Sequence, residues 1–278
     1  MVDLFHRAEA APRDPATPAQ LSALEKANSV RAERNAERAR KRSDAAAARQ
    51  EVLRKQVAAA MNSLRTSALA ALKSWTADAR TVVVDVESTD LNGRVIEVAV
   101  VDLAGTVLLQ RRINPGCEIH PGAQAIHGLT QADLAGQPAW DGVVDEFEAV
   151  TRGRNVLAFN ATFDGLTIAR STEVSCGSEK GRLARKAAED WHCVMGAMAP
   201  LMGEWDSKYN DFKLPSLARA VVFANADVTG LPPAHSAVGD ALRTVALVHA
   251  AALLPAKEFA VNEIPDLWLA YRPRAVSS

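Results

Sequence analysis

Cysteine is scarce: three in 278 residues, Cys117, Cys176 and Cys193, with no CxxC pairing. That excludes a disulfide framework, gives no support to a structural zinc site, and fits a reduced, cytoplasmic setting. An excess of either charge is missing too, since 32 Lys and Arg stand against 33 Asp and Glu. Net charge therefore singles out no partner. Long apolar runs are absent. The longest, "TVALVHAAALL", is interrupted by His249 and falls far short of the ~20 residues a membrane span needs. The opening "MVDLFHRAEAAPRDP" places acids and prolines where a signal peptide has its apolar core, so neither secretion nor a membrane is expected. No internal repeat is visible. What remains is a chain of 48% hydrophobic and 23% charged residues, the composition of a soluble globular protein. Its length suits one sizeable domain with an extension, or two small domains.

Glycine and proline are missing from residues 19–79, a stretch rich in Ala, Arg, Glu and Lys. These are strong helix formers, so residues 1–79 read as a helical, basic N-terminal extension. From Lys26 to Lys55 there are ten Lys and Arg against four Asp and Glu. Leu21, Leu24, Val30, Val52, Leu53, Val57, Met61 and Leu64 are spaced too irregularly for a sustained heptad. Two readings stand. One is a solvated helix or one packed on a partner, such as a polymerase or another protein. The other is a basic arm that touches nucleic-acid phosphates with salt-dependent affinity.

The texture changes after Arg80. "TVVVDVES", "RVIEVAVVD" and "TVLLQRRIN" are β-rich runs joined by short links, "TDLNG" and "LAG", and predict an antiparallel meander. A helix is expected within "PAWDGVVDEFEAVTRG", with Val143, Val144, Phe147 and Val150 on one stripe and Gly153 as its stop. Then follow a buried strand, "NVLAFN", and a helix from about Phe163 to Ser171. Val174 to Glu189, polar and Gly-containing, reads as a loop. "WHCVMGAMAPLM", "LPSLARAVVFAN" and "GDALRTVALVHAAALL" read as three more helices. Strands first and alternating elements afterwards imply an α/β chain, a mixed sheet flanked by helices.

Three places set acids at the ends of buried elements. In "VVVDVESTD", Asp85 and Glu87 lie two apart on a strand and leave by the same face. Burying two carboxylates together costs several kcal/mol unless something neutralises them, and a hard cation such as Mg²⁺ or Mn²⁺ does so. The alternative is two acids exposed at a strand end. In "LAFNATFDG", Asn160 and Asp164 follow a buried strand. Asn160 is placed to cap the next helix, and Asp164 falls in its first turn, where the dipole favours an acid. In "HSAVGDA", Ser236 reads as a cap, followed by an apolar stripe. His235 and Asp240 would diverge by roughly 140° on a regular helix, so they converge only if His235 precedes the helix. Pro232 and Pro233 favour that. A neutral imidazole is suited to take a proton from water near neutral pH.

Taken in order, Asp85-x-Glu87, Asn160-x-x-x-Asp164 and His235-x-x-x-x-Asp240 resemble the motifs of the DEDDh exonucleases, the DnaQ-like 3′→5′ exonuclease family. "INPGCEIHPGAQAIHGLT" and "KLPSLARAVV" resemble the family's linking segments. The likeness runs from Thr81 to Leu254, within a domain taken as residues 80–278.

The resemblance implies an RNase H-like fold with a mixed five-stranded sheet and phosphodiester cleavage with two divalent cations, Mg²⁺ or Mn²⁺. Asp85 is then the bridging ligand, and Glu87 and Asp240 complete the site of the nucleophile's metal. Asp164 serves the second metal, and His235 is the general base. Ser88 and Thr89 resemble positions that hold the terminal nucleotide, and Asn160 of the second motif is expected at the substrate with them, although Asp90 stands where the family often has Gly. Ile126 and His127 resemble a lip of the site. Phe163 is placed either to stack on a base or to pack in the core. Trp140, Trp191 and Trp205 read as core or groove wall. The substrate implied is the 3′ end of single-stranded or frayed DNA, released as nucleoside 5′-monophosphates. The alternatives are an exoribonuclease trimming short RNA and a proofreading or binding module attached to a polymerase complex.

Overall fold

Valine-rich strands, paired edge to edge, build the surface that carries the acids. The computed structural model describes residues 15–271, so the opening stretch read above as no leader lies almost wholly outside the described residues. The chain divides into two compact units, Met1–Lys55 and Gln56–Ser278.

Helix α1 (Pro18–Ala77) starts on a capping box. The Thr17 backbone N–H donates to Gln20 Oε1 at 2.9 Å, and the Gln20 N–H donates to Thr17 Oγ1 at 3.4 Å. Within the first unit its side chains are exposed from Pro18 to Leu53. Further on, inside the second unit, Val57, Met61, Leu69, Leu72 and Trp75 are buried. The expected boundary near residue 79 therefore differs from the division at Lys55, because the last turns of α1 supply core side chains.

The second unit holds a five-stranded sheet in the order β3-β2-β1-β4-β5. Strands β1 (Thr81–Ser88), β2 (Val95–Asp102) and β3 (Val107–Arg112) form the expected antiparallel meander. Strand β4 (Asn155–Ala158) runs parallel to β1, which makes the sheet mixed and leaves β1 at its centre. Val82, Val84 and Val86 face helices α4 (Val144–Thr151) and α5 (Ala161–Cys176). Val83 faces the opposite layer, made of the end of α1 with α7 (Val194–Met202), α8 (Leu217–Ala224) and α9 (Ala237–Ala252). Burying each valine stabilises the fold by about 1.5–3 kcal/mol, which offsets the cost of ending the strand on two carboxylates.

Two expectations are corrected. Val174 to Glu189 is not a loop: residues Ser178–Ala188 form α6. Its sequence has one large apolar residue, Leu183, and a glycine that looks like a breaker. In fact Gly181 lets α6 approach α5, since a Cβ there would stand 2.5 Å from the Cβ of Glu173. The segment "WHCVMGAMAPLM" is not wholly helical either. His192–Cys193 form β5, parallel to β4, before α7 begins. Further elements include α2 (Pro121–His127), α3 (Gln131–Leu134) and a hairpin of β6 (Trp205–Asp206) and β7 (Asp211–Phe212). Trp140 and Trp191 join the core that includes Phe147, and Trp205 packs with Trp268. Among the described residues, no helix is long and apolar enough to cross a membrane.

Candidate active site

The alternation of β1 explains why Asp85 and Glu87 share a face. Val82, Val84 and Val86 are buried against α5, whereas Asp85 and Glu87 continue the Val83 face, half-buried towards α9. Helix α5 delivers Asp164 from its first turn. That side chain is 3% exposed, and its Oδ1 accepts the Val86 backbone N–H at 3.1 Å. The contact holds the carboxylate against the backbone of β1 at Val86. Asn160 occupies the N-cap position of α5, but its side chain makes no capping hydrogen bond, contrary to the capping role expected for it.

Helix α9 delivers Asp240. The helix begins at Ala237 on a Ser236 cap, whose side chain accepts from Gly239 N–H at 3.2 Å. His235 lies before it, with a left-handed φ of 61°, so the condition set by the helical angle is met. For a non-glycine residue that conformation costs about 1–2 kcal/mol. The surrounding loop holds it. The His235 N–H donates to Asp240 Oδ2 at 3.3 Å, Arg243 donates to the Pro232 carbonyl at 2.6 Å, and Ser236 Oγ donates to that of Pro233 at 2.8 Å. The imidazole Nδ1 stands 3.9 Å from Asp240 Oδ2. Gly239 permits this clamp by close approach, because a Cβ would lie 2.0 Å from the Pro233 carbonyl oxygen. Gly239→Ala is expected to push His235 off Asp240 and to lower turnover by about 10–100-fold. Far-UV circular dichroism should show the helices intact, so the loss is read in the rate alone.

A fifth acid, not singled out in the sequence, closes the cluster. Glu97 on β2 lies directly opposite Glu87 and is 3% exposed. Its Oε2 accepts the backbone N–H of Ala237, the first residue of α9, at 2.9 Å, and its Oε1 lies 3.6 Å from Arg112 Nε on β3. The signal was present: a charged residue inside the otherwise apolar "VIEVAVV".

Electrostatics show how closely these groups converge. Burial, then Asp164, Glu87, Asp240 and Glu97, push the Asp85 carboxyl well above the usual range. Burial, then Asp240, Glu97 and Asp164, push Glu87 to about 8. Burial pushes Asp164 to about 7 against hydrogen bonds such as that from Val86. Burial also raises Asp240, opposed by the His235 N–H, His235 and Arg243.

A cleft of about 620 Å³ opens beside Glu87. Of the residues expected at the substrate, Ser88, His127 and Phe163 line it, as does Ile126; Thr89 and Asn160 do not. Thr89 is buried in the turn, where its hydroxyl accepts the Arg94 N–H at 3.0 Å, and Ser88 Oγ donates to the Asp90 carbonyl at 2.7 Å. Asp90 is a turn residue whose Oδ1 accepts the Asn92 N–H at 2.6 Å. His127 Nδ1 accepts the Leu129 N–H at 3.0 Å, which leaves Nε2 to carry the proton of the neutral ring. Burial lowers its proton affinity, which keeps the ring neutral. Phe163 lines the cleft and also packs against the core. A second depression, about 580 Å³ beside Trp75 and His192, lies at the opposite end of β1.

Among the described residues, no three His, Cys, Asp or Glu side chains are drawn up in a metal-holding arrangement. The chemistry of the donor set nevertheless fits hard cations. Asp85, Glu87, Asp164 and Asp240 offer oxygen donors, and burial together with neighbouring acids raises the proton affinity of Asp85 and Glu87, which a cation would offset.

The family model described as RNase_T, exonuclease, matches residues 82–248, more than half of the chain. An uncharacterized exonuclease, CP81, of Escherichia phage 186 is 26% identical over 182 residues, covering 65% of this chain and 91% of the phage protein. A solved structure of exonuclease X in complex with 5′-overhanging duplex DNA aligns with a TM-score of 0.45 at 22% identity, over 61% of this chain and 90% of that one. The crystal structure of cell-death related nuclease 4 aligns with a TM-score of 0.41 at 13% identity, over 60% of this chain and 61% of that one.

Proposed function

This chain belongs to the RNase_T exonuclease family, and we propose that it hydrolyses phosphodiester bonds from the 3′ end of single-stranded or frayed DNA, releasing nucleoside 5′-monophosphates. The observation that carries the proposal is the convergence of Asp85, Glu87, Asp164 and Asp240 at the centre of the sheet, each with its proton affinity raised by burial. Acids that destabilise one another are retained where a reaction needs their charge. Asp85, Glu87 and Asp240 would hold one Mg²⁺ or Mn²⁺, with Asp85 shared and Asp164 serving a second. When bound, the two cations supply positive charge that offsets the acids and stabilises the charge developing on phosphorus oxygens. His235 takes a proton from the attacking water, and its contacts with Asp240 keep the imidazole beside that acid. Phe163, Ile126 and His127 give the cleft an apolar wall suited to a terminal base.

The test uses 5′- and 3′-labelled DNA and RNA oligonucleotides with Mg²⁺, Mn²⁺ or EDTA. A 3′ label should leave at once as a mononucleotide, a 5′ label should remain on a shortening ladder, and EDTA should stop both. Early release of the 5′ label, or hydrolysis in EDTA, would refute the proposal. RNA digested faster than the matched DNA would move it to an exoribonuclease. His235→Ala should lower the rate by about 10²–10⁴-fold while Mn²⁺ binding, followed by calorimetry, stays within a few fold. Equal loss of both would remove the imidazole from the role of base.

A further inference from the structure

The exposed part of α1 is not evenly charged around its axis. Taking about 100° per residue, Arg31, Arg34, Arg38, Arg42 and Arg49 fall within about 60° of one direction. The acids Glu25, Glu33, Glu37, Asp44 and Glu51 all fall on the opposite side, more than about 110° away. The stripe between Arg31 and Arg49 runs about 27 Å along the axis, and short side chains, Asn35, Ala39, Ala45 and Ala46, lie beside the arginines. Of the ion pairs along this stretch, Lys55–Glu51 lies off the stripe and Lys41–Glu37 lies at its edge, with Lys41 about 20° from Arg34 around the axis. Among the described residues, no ion pair engages its five arginines.

We propose that this arginine stripe docks on the phosphate backbone of duplex nucleic acid, without reading sequence. An acid-free row of guanidinium groups is complementary to a polyanion, and Arg binds phosphate in a two-pronged geometry. A second copy of the helix would set like charges against like. Choosing nucleic acid among polyanions rests on the proposed nuclease function. Duplex rather than single strand follows from the residues that are missing: residues 18–55 contain no Phe, Tyr or Trp, so the stripe offers unpaired bases nothing to stack on. A stiff row of cations also meets a stiff row of phosphates without the cost of ordering a flexible strand. The chain would then hold the duplex through its backbone while the separate nuclease unit acts on a free end.

The test compares two full-length triple variants by fluorescence anisotropy on a blunt, labelled DNA duplex in EDTA. Arg31→Gln/Arg38→Gln/Arg42→Gln removes charge from the stripe. Lys26→Gln/Arg40→Gln/Lys55→Gln removes as much from the other face. Gln matches Arg in helix propensity, and circular dichroism confirms the helix. The stripe variant should flatten the slope of log affinity against log salt by about 2–3, following ~0.9 per phosphate contact, whereas the other variant should leave it nearly unchanged. Equal losses, no loss, or displacement of the duplex by poly-glutamate at equal charge concentration would overturn the inference, the last in favour of an acidic protein partner. Hydrolysis of a short single-stranded oligonucleotide in Mg²⁺ reports on the nuclease reading separately: failure there leaves the slopes as they are, and failure of the stripe leaves hydrolysis as it is.

Discussion

Asp85→Asn should abolish mononucleotide release, by at least about 10³-fold, and at the same time raise the melting temperature of the cation-free protein at pH 8. The two effects share one cause. Asp85 sits at the centre of the sheet among Asp164, Glu87, Asp240 and Glu97, and burial and these charges raise its proton affinity. An acid raised in the folded state stays protonated where the unfolded chain has already ionised. The folded state then binds more protons, and stability falls as pH rises. For these acids the fall begins near pH 4, where the unfolded carboxyls ionise, and continues through about 7 for Asp164 and about 8 for Glu87. Replacing Asp85 by its neutral isostere removes the most heavily loaded group from that balance. A gain of about 2 kcal/mol, modest beside the cost of an unpaired buried charge, corresponds to about 4–8 °C for a unit of this size. Added Mg²⁺ should stabilise the wild type, because a ligand that binds only the folded state shifts the equilibrium by mass action, and should stabilise the variant much less. Differential scanning fluorimetry in EDTA and in Mg²⁺, from pH 5 to pH 8, measures both. Nuclease activity within tenfold of wild type would remove Asp85 from the site. A lowered melting temperature at pH 8 would show that the acid is held by contacts that favour its charged form.

The acids were legible because their positions follow from local periodicity. A spacing of two on a strand fixes Asp85 and Glu87 on one face whatever the rest of the chain does. The first turn of a helix after a buried strand fixes Asp164 nearly as well. His235 was legible for a different reason: prolines at 232 and 233 exclude it from the helix, and the left-handed backbone at 61° meets that constraint. What escaped depends on contacts between distant segments. Helix α6 has no apolar stripe to announce it and is held against α5 by a glycine chosen for closeness. Strand β5 is two residues long and exists because β4 offers a free edge. The hydrogen bond expected from Asn160 is absent because cap position alone does not aim a side chain. The basic charge of the N-terminal helix was visible as a count, but its concentration on one face emerges only when the residues are wound at the helical angle.

Glu97 is the largest omission, and its expected effects separate two jobs that one carboxylate performs. It accepts the first N–H of α9, which fixes the start of the helix that carries Asp240 and the loop that carries His235. It also adds negative charge to Asp85 and Glu87. Glu97→Ala removes both. The Ala237 N–H is then buried without an acceptor, at a cost of about 1–3 kcal/mol, and the start of α9 is free to shift. Turnover should fall by about 10²-fold, because a displacement of an ångström at a reacting centre costs that much. Glu97→Gln keeps an oxygen for the same N–H and loses only the charge. It should fold like wild type and retain turnover within a few fold at pH 8. With one fewer negative neighbour, Asp85 and Glu87 give up their protons more readily, so the acidic limb of the kcat/KM profile should move to lower pH by about half a unit or more. A role confined to stability predicts something else: Glu97→Ala would melt earlier but turn over normally per folded molecule, and Glu97→Gln would leave the pH profile where it is. The first outcome would deny that Glu97 positions α9 for the reaction, and the second would deny that its charge is felt by the acids across the strand pair. Since this side chain is held by the helix start and the fringe of Arg112, the pH profile of Glu97→Gln is the most direct measure of how far one strand's charge governs its neighbour's acids.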